Sequence, residues 1–188
     1  MRIVDLSRDD ERAIREVAAL LVSGFAEHYP EVWKSALKEV HESLSRDRLS
    51  LLAIDEAGTI LGWVGGIPQH DGRVWELHPI VVAGRASAEG HRASAGAKPR
   101  GSCPRPRGPN HMVGTDDEDD QTSLSGVDLY DDLLGRIANI RNLREHPYEF
   151  YQRLGYTIAG VMPDANGFGK PDIFMAKRIA PAPTWTGR

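Results

Sequence analysis

The sequence predicts an α+β fold, with three α/β/α-like layers in which a mixed, mostly antiparallel central sheet is flanked by helices. Three observations predict it: two amphipathic helical patterns follow a short first strand, a hairpin and a long strand come next, and helices then alternate with strands. With 188 residues, 40% of them hydrophobic, the chain has enough apolar material for one core. We therefore expect a single domain over residues 1–180, followed by a tail at 181–188.

The N-terminal elements follow from the spacing of apolar residues. Residues 2–6 alternate polar and apolar side chains as a strand does, and Ser7 and Asp9 precede the first helical run. Pro30 ends that run and suits the first turn of a second helix. The predicted apolar faces are Ile14, Val17, Leu20, Leu21 and Phe25 in the first helix, and Val32, Trp33, Leu37, Val40 and Leu44 in the second.

The next three segments are predicted strands. Residues 51–55 and 59–64 flank Gly58, which supplies the turn of an antiparallel hairpin. Residues 74–82 form a longer strand that contains Pro79. Because proline cannot donate a ladder hydrogen bond, we expect a β-bulge or an edge position there.

The C-terminal part alternates helices with strands. Residues 129–140 have helical spacing, and a short helix is predicted from Pro147 to a stop at Gly155. Strands at 156–161 and 173–177 follow, joined by a turn rich in glycine, proline and aspartate. The order of elements is therefore that of a sheet with helices inserted between its strands.

Composition and charge restrict the classes of function. No apolar stretch approaches the roughly 20 residues that cross a bilayer, and the N-terminus lacks a signal-peptide pattern, so we expect a cytoplasmic protein that binds no membrane. Cys103 is the only cysteine and predicts neither a disulfide nor a metal site. Outside residues 84–112 the chain holds 17 basic and 26 acidic residues. That balance disfavours nucleic acid and favours a cationic partner, although it also serves solubility alone.

Residues 84–112 depart from every pattern before them. These 29 residues include five glycines and four prolines but no Val, Ile, Leu, Phe, Tyr or Trp. A segment of that composition cannot bury itself and is typical of a disordered linker. Linkers separate domains, yet the 76 residues that follow are too few and too dependent to stand alone. We therefore predict an irregular segment inside one domain.

One motif places the chain in a known family. Residues 151–156 spell Tyr-Gln-Arg-Leu-Gly-Tyr, and with the order of elements they resemble the Tyr-x-x-x-Gly-aromatic signature of the GNAT superfamily of acyl-CoA N-acyltransferases. The resemblance implies that Tyr151 lies beside the cofactor and protonates the departing CoA thiolate. A phenol suits that role because it keeps its proton at pH 7. Tyr151 is the predicted catalytic acid, and simple packing is its alternative role.

The same resemblance implies a loop and helix after the fourth strand, whose backbone amides bind the pyrophosphate of acetyl-CoA. Here the irregular segment 84–112 replaces that cofactor loop and third helix. Sliding the codons of residues 90–96 by one nucleotide, with suitable synonyms, converts Gly-His-Arg-Ala-Ser-Ala-Gly into Gly-Ile-Gly-Arg-Ala-Leu-Val. Extended over 85–112, the slide yields EHQRRGIGRALVQSLEEAARARGALTIW, which supplies loop, helix and strand together. We therefore predict compensating one-base shifts near Ala83 and Met112, with weaker acetyl-CoA binding and lower stability in the chain as written.

The resemblance further implies where the acetyl donor binds. The backbone at Ile80, Val81 and Val82, at the end of the fourth strand, pairs with the pantetheine arm of acetyl-CoA. An N–H nearby polarises the thioester carbonyl as charge develops on its oxygen. The attacking amine must lose a proton, and Glu76 on the same strand is the predicted base. A strand-edge carboxylate held in a salt bridge is the alternative role for Glu76.

A run of five acids, residues 116–120, follows the fifth strand, where the family's fold places its acceptor cleft. With Trp33 as an apolar or cation–π wall, the run resembles the acceptor site of the aminoglycoside 6'-N-acetyltransferases. Asp116, Asp117 and Asp119 are predicted to bind a small cationic amine. The alternative is a solvated loop without a ligand. A calcium loop is disfavoured because the run lacks the alternating ligands and the glycine of an EF-hand.

Two other functions are compatible with these residues. The first is acetylation of small amines or amino-acid side chains, with the acidic run serving solubility. The second is a catalytically inactive GNAT-like module that binds a cationic partner. A homodimer is compatible with each of them.

Overall fold

A computed structural model describes residues 1–25, 32–83 and 108–181. The chain divides into two compact units, Met1–Arg107 and Gly108–Arg188. The predicted cofactor loop falls on residues 84–107, outside the described residues, and the single-domain organisation stays a prediction. Among the described helices, none is long and apolar enough to cross a bilayer.

The first unit is an antiparallel sheet of four strands with two helices packed on it. Its elements are β1 (Arg2–Asp5), α1 (Glu11–Gly24), α2 (Val32–Ser43), β2 (Leu49–Ile54), β3 (Ile60–Gln69) and β4 (Val74–Val82). The strands lie in chain order, and each neighbouring pair is antiparallel. The hairpin predicted around Gly58, whose φ is +86°, is confirmed.

The core of this unit lies between the helices and the sheet. Helix α1 is capped by Asp10, one residue after the predicted Asp9, and the Asp10 carboxylate accepts a hydrogen bond from the Ala13 amide at 2.9 Å. Burying a large aliphatic side chain stabilises a folded protein by about 1.5–3 kcal/mol, so the apolar residues between the helices and the sheet contribute most to the stability of this unit. The fully buried core residues of the two helices are Val17, Ala18, Leu21, Ala36 and Val40.

Trp33 is not part of the apolar face of α2, which corrects that element of the prediction. Its side chain is 45% exposed, whereas Ala36 and Val40 are completely buried. The buried stripe thus starts one turn after Trp33, and periodicity alone extended it too far. Pro30, the predicted start of this helix, lies outside the described residues.

The β-bulge predicted at Pro79 is confirmed. Val64 pairs with Ile80 and Gly66 pairs with Leu77, so the two residues His78 and Pro79 lie opposite the single residue 65. A Cβ at that glycine would come within 2.5 Å of the His78 carbonyl oxygen. The close approach of the two backbones therefore requires glycine at position 65.

The second unit is a three-stranded antiparallel sheet with two short helices. Its elements are β5 (Asn110–Asp116), α3 (Leu133–Ala138), α4 (Tyr148–Arg153), β6 (Thr157–Met162) and β7 (Asp172–Arg178). Strand β7 pairs with β5 on one side and with β6 on the other. The buried apolar residues of the unit include Val113, Leu124, Leu129, Ile173 and Met175.

Helix α3 is shorter than the predicted 129–140. Leu129 is buried but precedes the helix. The reason is that aspartate side chains in residues 128–132 accept hydrogen bonds from backbone amides and so favour a turn over a helix there. Asp128 accepts a hydrogen bond from the Tyr130 amide at 2.9 Å, and Asp132 caps the helix through the Gly135 amide at 3.1 Å.

Strand β5 begins inside the segment predicted to be irregular. Its residues Asn110, His111 and Met112 pair with Arg178, Lys177 and Ala176 of β7. The prediction that irregular structure extends to residue 112 is therefore wrong. The reason is that ladder hydrogen bonds join backbone groups, whatever side chains the segment carries.

The backbone of β5 is paired at His111, but the side chain of that residue lacks a hydrogen-bond partner among the described residues. The Nε2 atom of His111 is buried and has no hydrogen-bond partner among the described residues. Burial, together with the charge of Lys177 opposite, lowers the pKa of His111, which keeps the ring neutral. The reading-frame slip that is predicted to end near Met112 stays a prediction.

Gly65→Ala should lower the free energy of unfolding by about 1–3 kcal/mol, because the new methyl group meets the His78 backbone. Gly160→Ala is the matched control, since a Cβ there meets nothing within 4 Å. Urea unfolding of both variants measures the difference. Equal stability of the two variants would contradict the tight approach at the bulge.

Candidate active site

Glu76, the predicted base, lies half-buried on β4. Its Oε2 atom accepts a hydrogen bond from the Gln69 side-chain amide at 2.8 Å. The Gln69 amide is neutral, so it orients the Glu76 carboxylate without neutralising its charge. The alternative role for Glu76 required a cationic partner instead. The arrangement is compatible with a base, and the role of Glu76 stays a prediction.

At the end of β4, backbone groups alternate between pointing toward β3 and pointing away from it. The Ala83 N–H donates to the Leu61 carbonyl at 2.9 Å, and Val81 occupies the equivalent position two residues earlier. Because paired positions alternate in an antiparallel ladder, the N–H and C=O groups of Ile80 and Val82 point away from β3. The Val81 side chain belongs to the core, with 5% exposure. The contact of the Ile80 and Val82 backbone with a pantetheine arm stays a prediction.

The motif at residues 151–156 has a structural cause in the way α4 ends. The Tyr156 amide donates to the Tyr151 carbonyl at 3.0 Å, and the Gly155 amide donates to Gln152 at 2.9 Å. With Gly155 at φ +84°, these bonds form a Schellman motif, which confirms the predicted stop. The contact that accompanies such motifs is here the edge-on packing of the two tyrosine rings, 5.6 Å apart.

The surroundings of Tyr151 keep its phenol protonated. Burial raises the pKa of Tyr151 above its ordinary value of 10.0. Burial and the neighbouring Tyr151 raise the pKa of Tyr156 to about 12. Phe150 also packs edge-on against Tyr151, with ring centroids 5.4 Å apart. A phenol in this environment can act as an acid at neutral pH.

Lys177 of β7 binds the same C-terminal end of α4, and no pattern in the sequence predicted this contact. Its Nζ atom donates to the Leu154 carbonyl at 2.6 Å and lies 5.7 Å from the centre of the Tyr156 ring. A cation at a helix C-terminus is favourable because the last carbonyls carry partial negative charge. The sheet thus fixes the end of α4.

The acidic run is not uniform. Asp117 is completely buried and accepts hydrogen bonds from the Gln121 amide at 2.6 Å, the Thr122 amide at 2.8 Å and the Thr122 hydroxyl at 2.7 Å. A carboxylate whose oxygens are bound by its own loop shapes that loop. The geometry of Asp117 assigns it a structural role, and its contact with a substrate stays a prediction.

The other acids of the run face solvent. Asp116 accepts a hydrogen bond from the Asn166 side chain at 2.6 Å, and Asp119 is exposed. Asp120 binds Lys170 at 2.8 Å and Ser125 at 2.9 Å, and these bonds lower the pKa of Asp120. The run therefore offers fewer unpaired charges than its five acids suggest.

The predicted site residues fall into two groups, one in each unit. The first unit carries Trp33, Glu76 and residues 80–82, of which the last two share strand β4. The second unit carries Tyr151 and the acidic run. Sequence reasoning missed Lys177 and also His146, whose ring lies between Tyr148 and the end of β5.

The solved structures that resemble nearly the whole chain include three aminoglycoside acetyltransferases. An aminoglycoside 6'-N-acetyltransferase complexed with coenzyme A has 38% sequence identity and a TM-score of 0.81, covering 97% of this chain and 99% of that one. The aminoglycoside 6'-N-acetyltransferase from Enterococcus faecium has 38% identity and a TM-score of 0.79 over the same shares. An aminoglycoside 6'-acetyltransferase type Ii has 31% identity and a TM-score of 0.65, covering 97% and 100%. No family model and no curated protein matches the chain.

These similarities extend over nearly the full length of each chain, and they confirm the α+β fold predicted from the order of elements. The relative that holds coenzyme A also agrees with the predicted acetyl donor. The chain therefore belongs, with these aminoglycoside 6'-N-acetyltransferases, to the GNAT superfamily of acyl-CoA N-acyltransferases, and acetyl-CoA is its co-substrate.

Proposed function

We propose that this enzyme transfers the acetyl group of acetyl-CoA to a primary amine of an aminoglycoside. The observation that carries the proposal is the 38% identity to an aminoglycoside 6'-N-acetyltransferase over 97% of this chain and 99% of that one. The net charge of −4 and the exposed acids after β5 agree with a polycationic acceptor. Acetylation replaces an ammonium charge by a neutral amide, so a bacterium that makes this enzyme should tolerate the antibiotic.

The reaction needs a base for the amine and an acid for the thiol. Glu76 takes a proton from the acceptor ammonium, directly or through water, and the freed amine attacks the thioester carbon. The C–N bond forms, the nitrogen loses its second proton to water, and the C–S bond breaks. The Tyr151 hydroxyl protonates the departing thiolate, and both side chains then exchange protons with solvent.

The donor and the acceptor use different groups of the chain. The backbone of Ile80 and Val82 pairs with the pantetheine arm, because those N–H and C=O groups are not used by β3. Asp116 and Asp119 attract the acceptor's ammonium groups, and exposed Trp33 offers a face for a sugar ring. Asp117 holds the loop in place from within.

Tyr151→Phe should lower kcat about a hundredfold, the usual worth of one acid–base group, while the fold persists. Tyr130→Phe is the matched control, because Tyr130 is 72% exposed and should leave kcat unchanged. Steady-state assays with kanamycin, in the chain with residues 84–112 restored to the predicted frame, measure both. Full activity of the Tyr151 variant would exclude the phenol as the acid.

Asp119→Asn should raise the KM for kanamycin about threefold to tenfold at low salt, with little change in kcat, because it removes an attracting charge. Added salt should shrink the effect. Glu56→Gln, an exposed acid in the β2–β3 turn, is the control. Parallel assays with spermidine and lysine identify the acceptor class. A preference for lysine that ignores Asp119 would favour the small-amine function instead.

Acetyl-CoA should stabilise the frame-restored chain strongly and the chain as written weakly. At a hundred times Kd, a ligand adds about 2.7 kcal/mol to the free energy of unfolding, and the chain as written lacks the predicted pyrophosphate loop. Thermal-shift titrations of both chains provide the measurement. Equal stabilisation would contradict the predicted slip, and no stabilisation of either chain would favour an inactive module.

A further inference from the structure

Helix α4, which carries Tyr151, is too short to fix its own direction. It has six residues, and isolated helices of that length are unstable in water. Pro147 at its start makes no side-chain capping bond. The position of the Tyr151 phenol therefore depends on groups outside the helix.

His146 supplies a connection at the start of α4. Its side chain is 1% exposed. The Nδ1 atom accepts a hydrogen bond from the Tyr148 amide at 3.2 Å, one of the amides that a helix start leaves without a partner. The Nε2 atom lies 3.1 Å from the Asp116 carbonyl oxygen at the end of β5. Because Nδ1 accepts, we assign the proton of the neutral ring to Nε2, which donates to Asp116.

The backbone of His146 is itself held in place. The Asn142 side chain accepts from the His146 N–H at 2.7 Å and donates to the His146 carbonyl at 2.9 Å. Asn142 also forms an isolated bridge with Thr122, which binds the buried Asp117. Asn142 thus fixes the His146 backbone, while the two ring nitrogens of His146 contact α4 and the start of the acidic run.

We propose that His146 is a positioning residue for acetyl transfer, whose two ring nitrogens place Tyr151 on one side and Asp116 on the other. The roles of those two residues come from the proposed function, on which this inference rests. His146 acts as a neutral ring, because a proton on Nδ1 removes the acceptor of the Tyr148 amide.

The surroundings of His146 favour that neutral form. Burial lowers the pKa of His146 below its ordinary 6.5, and the Asp116 carbonyl and the charges of Asp117 and Asp116 oppose part of this effect. The unfolded chain therefore binds more protons here than the folded chain. The contribution of neutral His146 to the free energy of unfolding is complete above pH 6.5. It is lost as the pH falls through the lowered pKa of His146 in the folded chain. Tyr148, against the same ring, stays neutral in that range.

Two substitutions separate the two nitrogens. His146→Asn keeps an acceptor near the Nδ1 position but is too short to reach Asp116. His146→Gln keeps a donor near the Nε2 position and offers Tyr148 no acceptor. Leu124→Ala, at a fully buried residue of the same unit, controls for a general loss of packing.

Hydrogen exchange of the full chain as written tests the positioning without catalysis. His146→Gln should speed exchange of the Tyr148 amide about fivefold, the ratio that one neutral hydrogen bond supports, and His146→Asn should not. The control should speed exchange evenly through the unit. Equal Tyr148 exchange in the two His146 variants would overturn the proposal.

Kinetics of the frame-restored chain test the catalytic consequence. His146→Gln should lower kcat about tenfold with the kanamycin KM kept, and His146→Asn should raise that KM with kcat kept. Two variants with the same profile as Leu124→Ala would reduce His146 to a structural residue and overturn the proposal. If Tyr151→Phe retains full activity, the proposed role of Tyr151 as the acid is wrong. The hydrogen-exchange result then still decides whether His146 orients α4.

Discussion

A carboxylate removed from water must be surrounded by donors, and the second unit is organised around one such group. Asp117 is fully buried and bound by Gln121 and Thr122, which closes the turn after β5. Thr122 bridges to Asn142, and Asn142 holds His146 by two hydrogen bonds. The acidic run and the helix that carries Tyr151 are thus connected to the same buried carboxylate through Thr122, Asn142 and His146.

Local signals were enough to predict the elements that surround Tyr151 and the bulge in β4. The stop of α4 follows from glycine at its C-terminus with an aromatic pair around it, and all three residues stand within the six-residue motif. The bulge follows from the missing N–H of Pro79. In both places the physical cause lies in neighbouring residues of the chain, where sequence reasoning can find it.

Burial of particular side chains could not be predicted in this way. Asp117 and Asp119 have the same side chain two residues apart, yet one is completely buried and the other exposed. What separates them is the closure of the turn onto residue 122 and the pairing of that residue with Asn142, 20 positions later. Trp33 has the right period for the core but lies one turn beyond it. Such outcomes depend on distant segments, which spacing and composition do not describe.

The position of β7 has a consequence for folding during synthesis on the ribosome. This strand pairs with both β5 and β6, and it is the last of the three to be synthesised. While the ribosome is still adding residues 172–178, the two earlier strands have exposed edges and no common neighbour. The second unit therefore completes its sheet only after those residues emerge, whereas all four strands of the first unit are available about 90 residues sooner. Crowded or chaperone-poor conditions should accordingly endanger the nascent second unit more than the first.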